Sequence, residues 1–132
     1  KNKCIQYISK YNLQNRVSFI SELELEEIAA IYQKAEIMIY PSVFEGFGIP
    51  ILEALFCKTP VITSKEGCFS ETGGTHSLYI NPLSVSELTQ AITQVENNKK
   101  LREEIITKGW EYAQNFTDEK VAQNLHEIYT SL

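Results

Sequence analysis

Apolar residues recur along the chain with two different periods. Four short runs that are mainly apolar are typical of buried strands: residues 16–20, 36–40, 60–63 and 77–80. Between the runs, apolar residues return every three or four positions, which predicts helices that bury one face: residues 3–11, 25–32 and 50–56. After residue 81 only the helical period remains, so we expect helices from there onward.

Residues that favour helix ends divide this C-terminal part. Ser84 and Glu87 have the spacing of a capping box, which predicts that a helix begins there. We expect this helix to break at residues 97–98 and a further helix to run to residue 116. Thr117 is then predicted to cap the last helix.

Two connecting stretches have weaker signals. Ser21 is predicted to lie in the cap region of the helix at 25–32. Residues 67–74 contain three glycines and are predicted to form a loop with at most one helical turn.

Strands that alternate with helices imply parallel pairing through right-handed crossovers. The nearly continuous apolar character of the strands agrees, because a parallel sheet is buried on both faces. We therefore expect an α/β fold: a doubly wound, Rossmann-like parallel sheet of about four strands, with additional C-terminal helices. Residues 1–132 are expected to form a single domain.

Composition and charge exclude several classes of protein. A hydrophobic content of 43% with 22% charged residues is ordinary for a soluble globular protein. The net charge of −5, with no basic cluster beyond Lys99-Lys100, argues against a nucleic acid partner. No apolar run approaches the roughly 18–20 residues that span a bilayer, so no transmembrane segment is expected.

The cysteines and acids bear on compartment and metals. The three cysteines are odd in number and are interpreted as free thiols of a reducing, cytoplasmic compartment. Asp118 is the only aspartate, so no paired-aspartate metal motif exists, and no cluster of His, Cys and carboxylate residues has the spacing of metal ligands. We expect neither a metal nor a cofactor.

The strongest chemical signal lies between the strand at 36–40 and the helix at 50–56. Two acids bracket a glycine-containing segment: Glu45-Gly46-Phe47-Gly48-Ile49-Pro50-Ile51-Leu52-Glu53. The glycines allow close backbone approach, the helix start offers N–H groups to an anion, and the carboxylates accept hydrogen bonds from hydroxyls. A phosphorylated sugar has the complementary groups, so the segment is predicted to bind such a ligand.

Simpler interpretations of these residues remain open. Glu53 in the first helical turn would be favourable merely through the helix dipole, and Glu45 could be a solvated loop charge. Gly46-Phe47-Gly48 begins a dinucleotide-binding pattern, but Ile51 stands where its third glycine belongs. Of the two histidines, His76 lies in a loop that could approach the segment, whereas His126 is expected at the surface of the last helix.

The same segment, together with its surroundings, resembles a known family. The residues near the acids that carry the resemblance are Pro41-Ser42, Glu45 to Pro50, Glu53-Ala54 and Pro60-Val61-Ile62. Further matches lie at Val17-Ser18-Phe19, Ala35-Glu36-Ile37-Met38, Ser70-Glu71-Thr72-Gly73-Gly74, Tyr79-Ile80-Asn81-Pro82 and Phe116-Thr117. As a set they resemble the C-terminal, donor-binding lobe of GT-B-fold retaining glycosyltransferases of family four, whose signature has seven residues between two acids.

The resemblance implies a role for each residue of the segment. Glu45 would be the catalytic carboxylate, bonding a hydroxyl of the donor sugar near the reacting centre. Glu53 would accept both ribose hydroxyls of the nucleotide. Backbone amides would face sugar hydroxyls and a phosphate: those of Phe47, Gly48, Ile49 and Leu52. We expect Glu45 and Glu53 to point into one cleft at the carboxyl end of the strands.

The resemblance also implies a reaction. A hexose-type sugar would pass from a nucleoside-diphosphate sugar to a glycan or lipid-linked acceptor, without a metal. The acceptor-binding N-terminal lobe would be absent, and the donor lobe truncated at its N-terminal side. That missing lobe would account for a peripheral association with the inner face of a membrane. Ser21 stands where the family commonly has glycine near the nucleobase. Two alternatives stay open: a non-catalytic nucleotide-sugar-binding module, or part of a nucleotide-sugar 2-epimerase of the same fold.

Overall fold

The computed structural model describes residues 2–131, in which three parallel strands form one sheet in the order β1-β2-β3. The strands are β1 (Met38–Tyr40), β2 (Val61–Ser64) and β3 (Leu78–Ile80). Met38 pairs with Val61, and Ile62 pairs with Leu78. The sequence-based prediction of a parallel α/β sheet is thus confirmed.

Helices connect the strands and follow the last one. They are α1 (Asn2–Lys10), α2 (Leu25–Lys34), α3 (Ile49–Phe56), α4 (Phe69–Gly73), α5 (Val85–Asn97), α6 (Lys99–Ala113) and α7 (Asp118–Thr130). Short 3₁₀ turns at Gly74–His76 and Gln114–Phe116 follow α4 and α6.

The central strand β2 is fully buried and separates two apolar clusters. The cluster on one side contains Ile51, Leu52, Ala54, Leu55, Val61, Phe69 and Ala113. The cluster on the other side contains Ile62, Ile80, Ala91, Val95 and Ile105. Because Val61 and Ile62 point to opposite faces of the strand, helices cover both faces of the sheet, as expected for a doubly wound fold.

The predicted strand at residues 16–20 is wrong. In the described residues the sheet ladders join β1, β2 and β3 alone, and residues 16–20 have no regular structure. A strand exists only within a ladder, and apolar residues alone do not provide one. The side chains of this segment are also not buried, since Val17 is 39% exposed and Ile20 is 61% exposed. The sheet therefore has three strands here rather than about four.

The helix α2 begins at Leu25 as predicted, but its cap residue differs from the prediction. Its N-cap is Glu24 rather than a residue near Ser21, and Glu24 forms a capping box with Glu27. The Glu24 amide donates to Glu27 Oε2 at 2.9 Å. Glu22 has a left-handed φ of 59°, which no first helical turn accommodates, so a helix could not begin directly after Ser21.

The C-terminal caps follow the predictions closely. Ser84 Oγ accepts from the Glu87 amide at 3.2 Å, although the Glu87 carboxylate accepts from the Asn81 amide instead of completing the box. The predicted break falls where α5 ends and α6 begins, at residues 97–98. Thr117 caps α7 through the Lys120 amide.

A search of residues 2–131 finds no helix with the length and apolarity that a bilayer span requires.

Candidate functional site

The loop between β1 and α3 lies at the carboxyl end of the sheet, where ligands of open α/β folds bind. It begins after Tyr40 and ends at Gly48, the N-cap of α3. Gly48 has a φ of 93°, and a Cβ there would lie 3.3 Å from Ile51 Cδ1. Glycine is therefore required at this helix start, whereas a Cβ on Gly46 would meet no heavy atom within 4 Å.

Four side chains from β2 and the α4 segment hold the backbone of this loop. Each donates a hydrogen bond to a carbonyl of the loop or of the strand residue before it: Thr63 to Tyr40, Ser64 to Ser42, Cys68 to Glu45 and Thr72 to Phe47. We call these four donors the carbonyl clamp. The sequence did not predict these four contacts, although two hydroxyl residues at the end of the buried strand β2, Thr63 and Ser64, were a usable signal.

Glu45 is held by two hydroxyl donors. Tyr40 donates to Glu45 Oε1 at 2.6 Å, and Ser42 Oγ donates to the same oxygen at 3.0 Å. These hydrogen bonds, chiefly that from Tyr40, lower the pKa of Glu45. The same bond raises the pKa of Tyr40 to about 12. Glu45 is thus kept ionised, and its second oxygen, Oε2, makes no hydrogen bond within residues 2–131.

Glu53 lies one turn later in α3 than the sequence predicted. Because α3 begins at Ile49 rather than at Pro50, Glu53 falls in the second turn and the first turn holds no acid. The helix-dipole interpretation of Glu53, which needs the first turn, therefore does not apply.

A tyrosine also orients Glu53. The Tyr32 hydroxyl donates to Glu53 Oε2 at 3.3 Å. Burial, reinforced by the Glu53 charge, raises the pKa of Tyr32 to about 12. Both residues line an apolar groove of about 240 Å³ between α2 and α3, together with Leu25, Ile28, Ala29, Phe56 and Cys57.

Each of the two carboxylates is bonded by its own tyrosine: Tyr32 donates to Glu53, and Tyr40 donates to Glu45. A single cleft shared by both carboxylates stays a prediction.

Backbone donors lie between the two acids. The Ile51 amide donates to the Gly48 carbonyl at 2.9 Å, and Pro50 has no N–H. The amides of Phe47, Gly48 and Ile49 find no acceptor among residues 2–131. Free N–H groups at a helix start attract anions. Leu52, whose amide was also predicted to face a phosphate, packs its side chain into the core.

Two apolar side chains flank these amides. Phe47 packs edge-on against Phe116, with ring centroids 6.0 Å apart, and stays 40% exposed. Ile49 is 61% exposed. The 3₁₀ turn that follows α6 thus contributes one wall beside the loop.

The histidines form no hydrogen bond or ion pair with these groups within residues 2–131. His76 lines a surface groove with Thr75, Lys108, Glu111, Tyr112 and Asn115, and His126 is exposed on α7. The described residues contain no group of three or more His, Cys, Asp or Glu side chains that could hold a metal ion. All three cysteines are free thiols, and burial raises the pKa of the Cys57 thiol.

Comparison with known protein sequences finds relatives that are glycosyltransferases. Residues 1–112 match the family described as glycosyl transferases group 1. The chain is 37% identical over 91 residues to the O-antigen chain mannosyltransferase RfbU of Salmonella typhimurium, covering 69% of this chain and 26% of that protein. It is 28% identical over 127 residues to the O-antigen chain mannosyltransferase B of Escherichia coli, covering 96% of this chain and 33% of that protein. The chain therefore spans about a quarter to a third of these relatives' lengths.

Solved structures show the same architecture. Sucrose-phosphate synthase from Thermosynechococcus elongatus superposes with a TM-score of 0.85 at 28% identity, covering 98% of this chain and 33% of that one. Anabaena HepE in complex with UDP and glucose also superposes with a TM-score of 0.85, at 25% identity, covering 99% of this chain and 36% of that one. With the GT-B fold and the family match over most of its length, the chain belongs to the group 1 glycosyltransferases.

Proposed function

We propose that residues 1–132 form the nucleotide-sugar donor-binding part of a retaining glycosyltransferase. The reaction would move a hexose-type sugar from a nucleoside-diphosphate sugar to a glycan or lipid-linked acceptor. The observation that carries the proposal is the arrangement around the start of α3. Along the chain, the amides of Phe47, Gly48 and Ile49, which find no acceptor within residues 2–131, lie between Glu45 and Glu53, two carboxylates that tyrosines orient.

The diphosphate is assigned to the start of α3. Its free N–H groups and the positive end of the helix dipole favour an anion there. Gly48 allows α3 to begin at this point, because its φ is positive and a Cβ there would meet Ile51, Thr72 and Phe69 in the interior. The structure of HepE with UDP and glucose, a fold relative, supports a ligand of this class. The Leu52 amide, one turn further along, is assigned to the same phosphate.

Glu45 is assigned to the donor sugar and to catalysis. Hydrogen bonds lower the pKa of Glu45, so the carboxylate is ionised when a sugar hydroxyl approaches its free oxygen. A fixed negative charge beside the reacting carbon stabilises the positive charge that develops on the sugar as the diphosphate leaves. The amide groups of α3 stabilise the departing diphosphate at the same time.

Glu53 is assigned to the ribose. A carboxylate with two acceptor oxygens matches the two neighbouring hydroxyls of a ribose ring. Tyr32 reaches only Oε2 and from 3.3 Å, which leaves acceptor capacity on both oxygens. The apolar groove beside Glu53 extends from there along α2 and α3.

The remaining assignments concern what lies outside this chain. The acceptor is assigned to a lobe beyond residues 1–132, since the chain spans 26% and 33% of the two mannosyltransferases. We propose that no metal or cofactor takes part, because helix-start amides serve the diphosphate here and, by family resemblance, basic residues serve it elsewhere. We assign the protein to the cytoplasm, with peripheral contact to the inner face of a membrane through that lobe.

Amide-resolved NMR of the 132-residue chain tests the donor site. Titration with UDP-glucose, and separately with GDP-mannose, should shift the amide signals of Phe47, Gly48 and Ile49 at millimolar ligand. The same titration of Glu53→Gln should give weaker binding, since ribose hydroxyls lose a charged acceptor. Glu103→Gln, at the exposed face of α6, is the matched control and should bind as the unaltered chain does. Shifts confined to α5 and α6, or none with either sugar nucleotide, would contradict the proposal.

A further inference from the structure

We propose that Thr72 is a positioning residue of the donor site: its hydroxyl fixes the direction in which the Gly48 N–H points. This inference rests on the proposed function, because it concerns an amide assigned to the donor diphosphate. Thr72 itself lies in α4, is fully buried, and does not reach the ligand side of the loop.

The hydroxyl of Thr72 has two carbonyls within reach. One is the Cys68 carbonyl, 3.2 Å away and four residues earlier, which is the ordinary back-bond of a helical threonine. The other, closer, is the Phe47 carbonyl in the loop. A hydroxyl carries one proton, and the closer acceptor receives it. The Thr72 hydroxyl therefore donates to the loop carbonyl of Phe47 rather than to the Cys68 carbonyl.

This bond determines what the next amide can do. In a trans peptide the C=O and the N–H point in opposite directions, and residues 2–131 contain no cis peptide. With the Phe47 carbonyl directed toward Thr72, the Gly48 N–H points away from Thr72. The free amide at the start of α3 is thus a consequence of a contact made 25 residues away.

Glycine makes such a restraint necessary. Gly48 has a φ of 93°, and glycine adopts positive and negative φ almost equally well. The peptide between Phe47 and Gly48 could therefore turn over, which would place a carbonyl oxygen where the N–H had been. An oxygen there would repel a phosphate. The Thr72 hydroxyl holds the orientation that attracts it.

The other members of the carbonyl clamp act further from the helix start. Cys68 donates to Glu45, Ser64 to Ser42 and Thr63 to Tyr40, so they restrain earlier peptides of the loop. Thr72 is the clamp member whose peptide adjoins the N-cap of α3.

Two matched pairs of variants isolate the hydroxyl. Thr72→Val keeps the shape of threonine without the hydroxyl. Thr72→Ser and Thr72→Ala both lack the methyl group and differ only in the hydroxyl. Ser77→Ala is the control, because Ser77 is also buried and its hydroxyl donates to the Gly73 carbonyl of the same helix at 2.7 Å, away from the loop. Each chain is titrated with UDP-glucose and with GDP-mannose by amide-resolved NMR.

We expect Thr72→Val and Thr72→Ala to raise the dissociation constant about five- to tenfold, the effect of one lost hydrogen bond, and to reduce the ligand-induced shift of the Gly48 amide. Thr72→Ser and Ser77→Ala should bind within about twofold of the unaltered chain. Ser77→Ala weakens α4 without touching the loop, so a merely structural role for Thr72 would make the two sets behave alike.

Each outcome decides the matter. If the unaltered chain shows the Gly48 shift but Thr72→Ala binds as tightly as Thr72→Ser, the inference is wrong while the donor site stands. If Thr72→Val does not fold, the Ser and Ala pair gives the same comparison. If Thr72→Ser also loses affinity, the methyl group rather than the hydroxyl matters, and the inference is again wrong. If the unaltered chain shows no shift at all, the donor site and the inference fall together.

Discussion

The hydroxyl of Tyr40 lies 2.6 Å from Glu45 Oε1 and donates to it. Tyr40 is the last residue of β1, and Glu45 lies in the loop that follows. A residue of the sheet therefore orients a residue of a loop. The bond acts on both partners: it lowers the pKa of Glu45 and raises the pKa of Tyr40.

Replacing Tyr40 by Phe should raise the pKa of Glu45 toward its ordinary value. The Tyr40 hydrogen bond is the first cause of the lowered pKa, and only the Ser42 bond remains in the variant. An NMR titration of the Glu45 carboxyl carbon measures this directly. Tyr32→Phe is the control, because Tyr32 bonds Glu53 rather than Glu45. An unchanged Glu45 titration in Tyr40→Phe would show that the bond is not formed in solution.

The lowered pKa of Glu45 also predicts how this residue affects the stability of the fold at low pH. Its pKa in the folded chain lies below the value in the unfolded chain. The stabilisation is therefore present above the unfolded-state pKa and is lost as the pH falls through the folded-state pKa. Urea unfolding over that acidic range should show a smaller loss of stability in Tyr40→Phe than in the unaltered chain. Equal losses would contradict the assignment.

Three tyrosines should titrate late at high pH. The pKa is raised to about 12 for each of Tyr32, Tyr40 and Tyr79, by burial for the first and third and by the Glu45 bond for the second. A raised folded-state pKa gives stability below the unfolded value of 10.0, and it is lost as the pH rises toward 12. Ultraviolet absorbance of phenolate should therefore show a late phase accompanied by unfolding. A single transition near the ordinary pKa would be evidence against the contacts.

Gly48→Ala should destabilise the fold by about 1–2 kcal/mol, because alanine is strained at a left-handed φ of 93°. Gly46→Ala is the matched control two residues earlier. Its φ is not positive and a Cβ meets nothing within 4 Å, so it should be neutral or stabilise by about 0.4–1 kcal/mol. Urea unfolding of both variants makes the comparison. Equal effects would mean that α3 does not begin with this backbone conformation.

The full-length enzyme should keep its activity after exhaustive treatment with EDTA. We expect this because amides at the start of α3 are assigned to the diphosphate under our proposal. A glycosyl-transfer assay before and after chelation measures it. Activity that is lost on chelation and restored by magnesium or manganese would overturn the metal-free proposal.

The 132-residue chain alone should transfer no sugar and should bind nucleotide sugars weakly. Holding donor and acceptor together supplies about 7–11 kcal/mol of barrier reduction, and this chain holds only the donor under our proposal. The net charge of −5 also opposes a diphosphate. Calorimetric titration with UDP- and GDP-sugars, beside a transfer assay, tests this. Measurable transfer would show that an acceptor site lies within these residues, and sub-micromolar binding would contradict the weak donor affinity that we expect.

The elements that the sequence predicted correctly are those whose signals lie in their own residues. The runs at 36–40, 60–63 and 77–80 are apolar because both faces of the sheet are covered, and Ser84 and Thr117 cap helices through local bonds. The segment at 16–20 has the same apolar pattern but no ladder among the described residues, and a strand depends on its neighbour as much as on its own residues.

The candidate site was only partly predictable for a related reason. The acids and glycines of the loop are recognisable because they are close in sequence. The carbonyl clamp is not, since each donor lies more than twenty residues from its acceptor. The turn that Glu53 occupies depended on a one-residue shift in the start of α3, which patterns resolve poorly.

The carbonyl clamp also limits how this loop could be transplanted. A designer who moved residues 45–53 into another α/β scaffold would carry both acids and Gly48, yet none of the four donors that hold the loop carbonyls. The graft would show the right side chains on a backbone free to turn its amides inward. The smallest portable unit is therefore two segments, residues 40–53 with residues 63–72, and they would have to be moved as a pair.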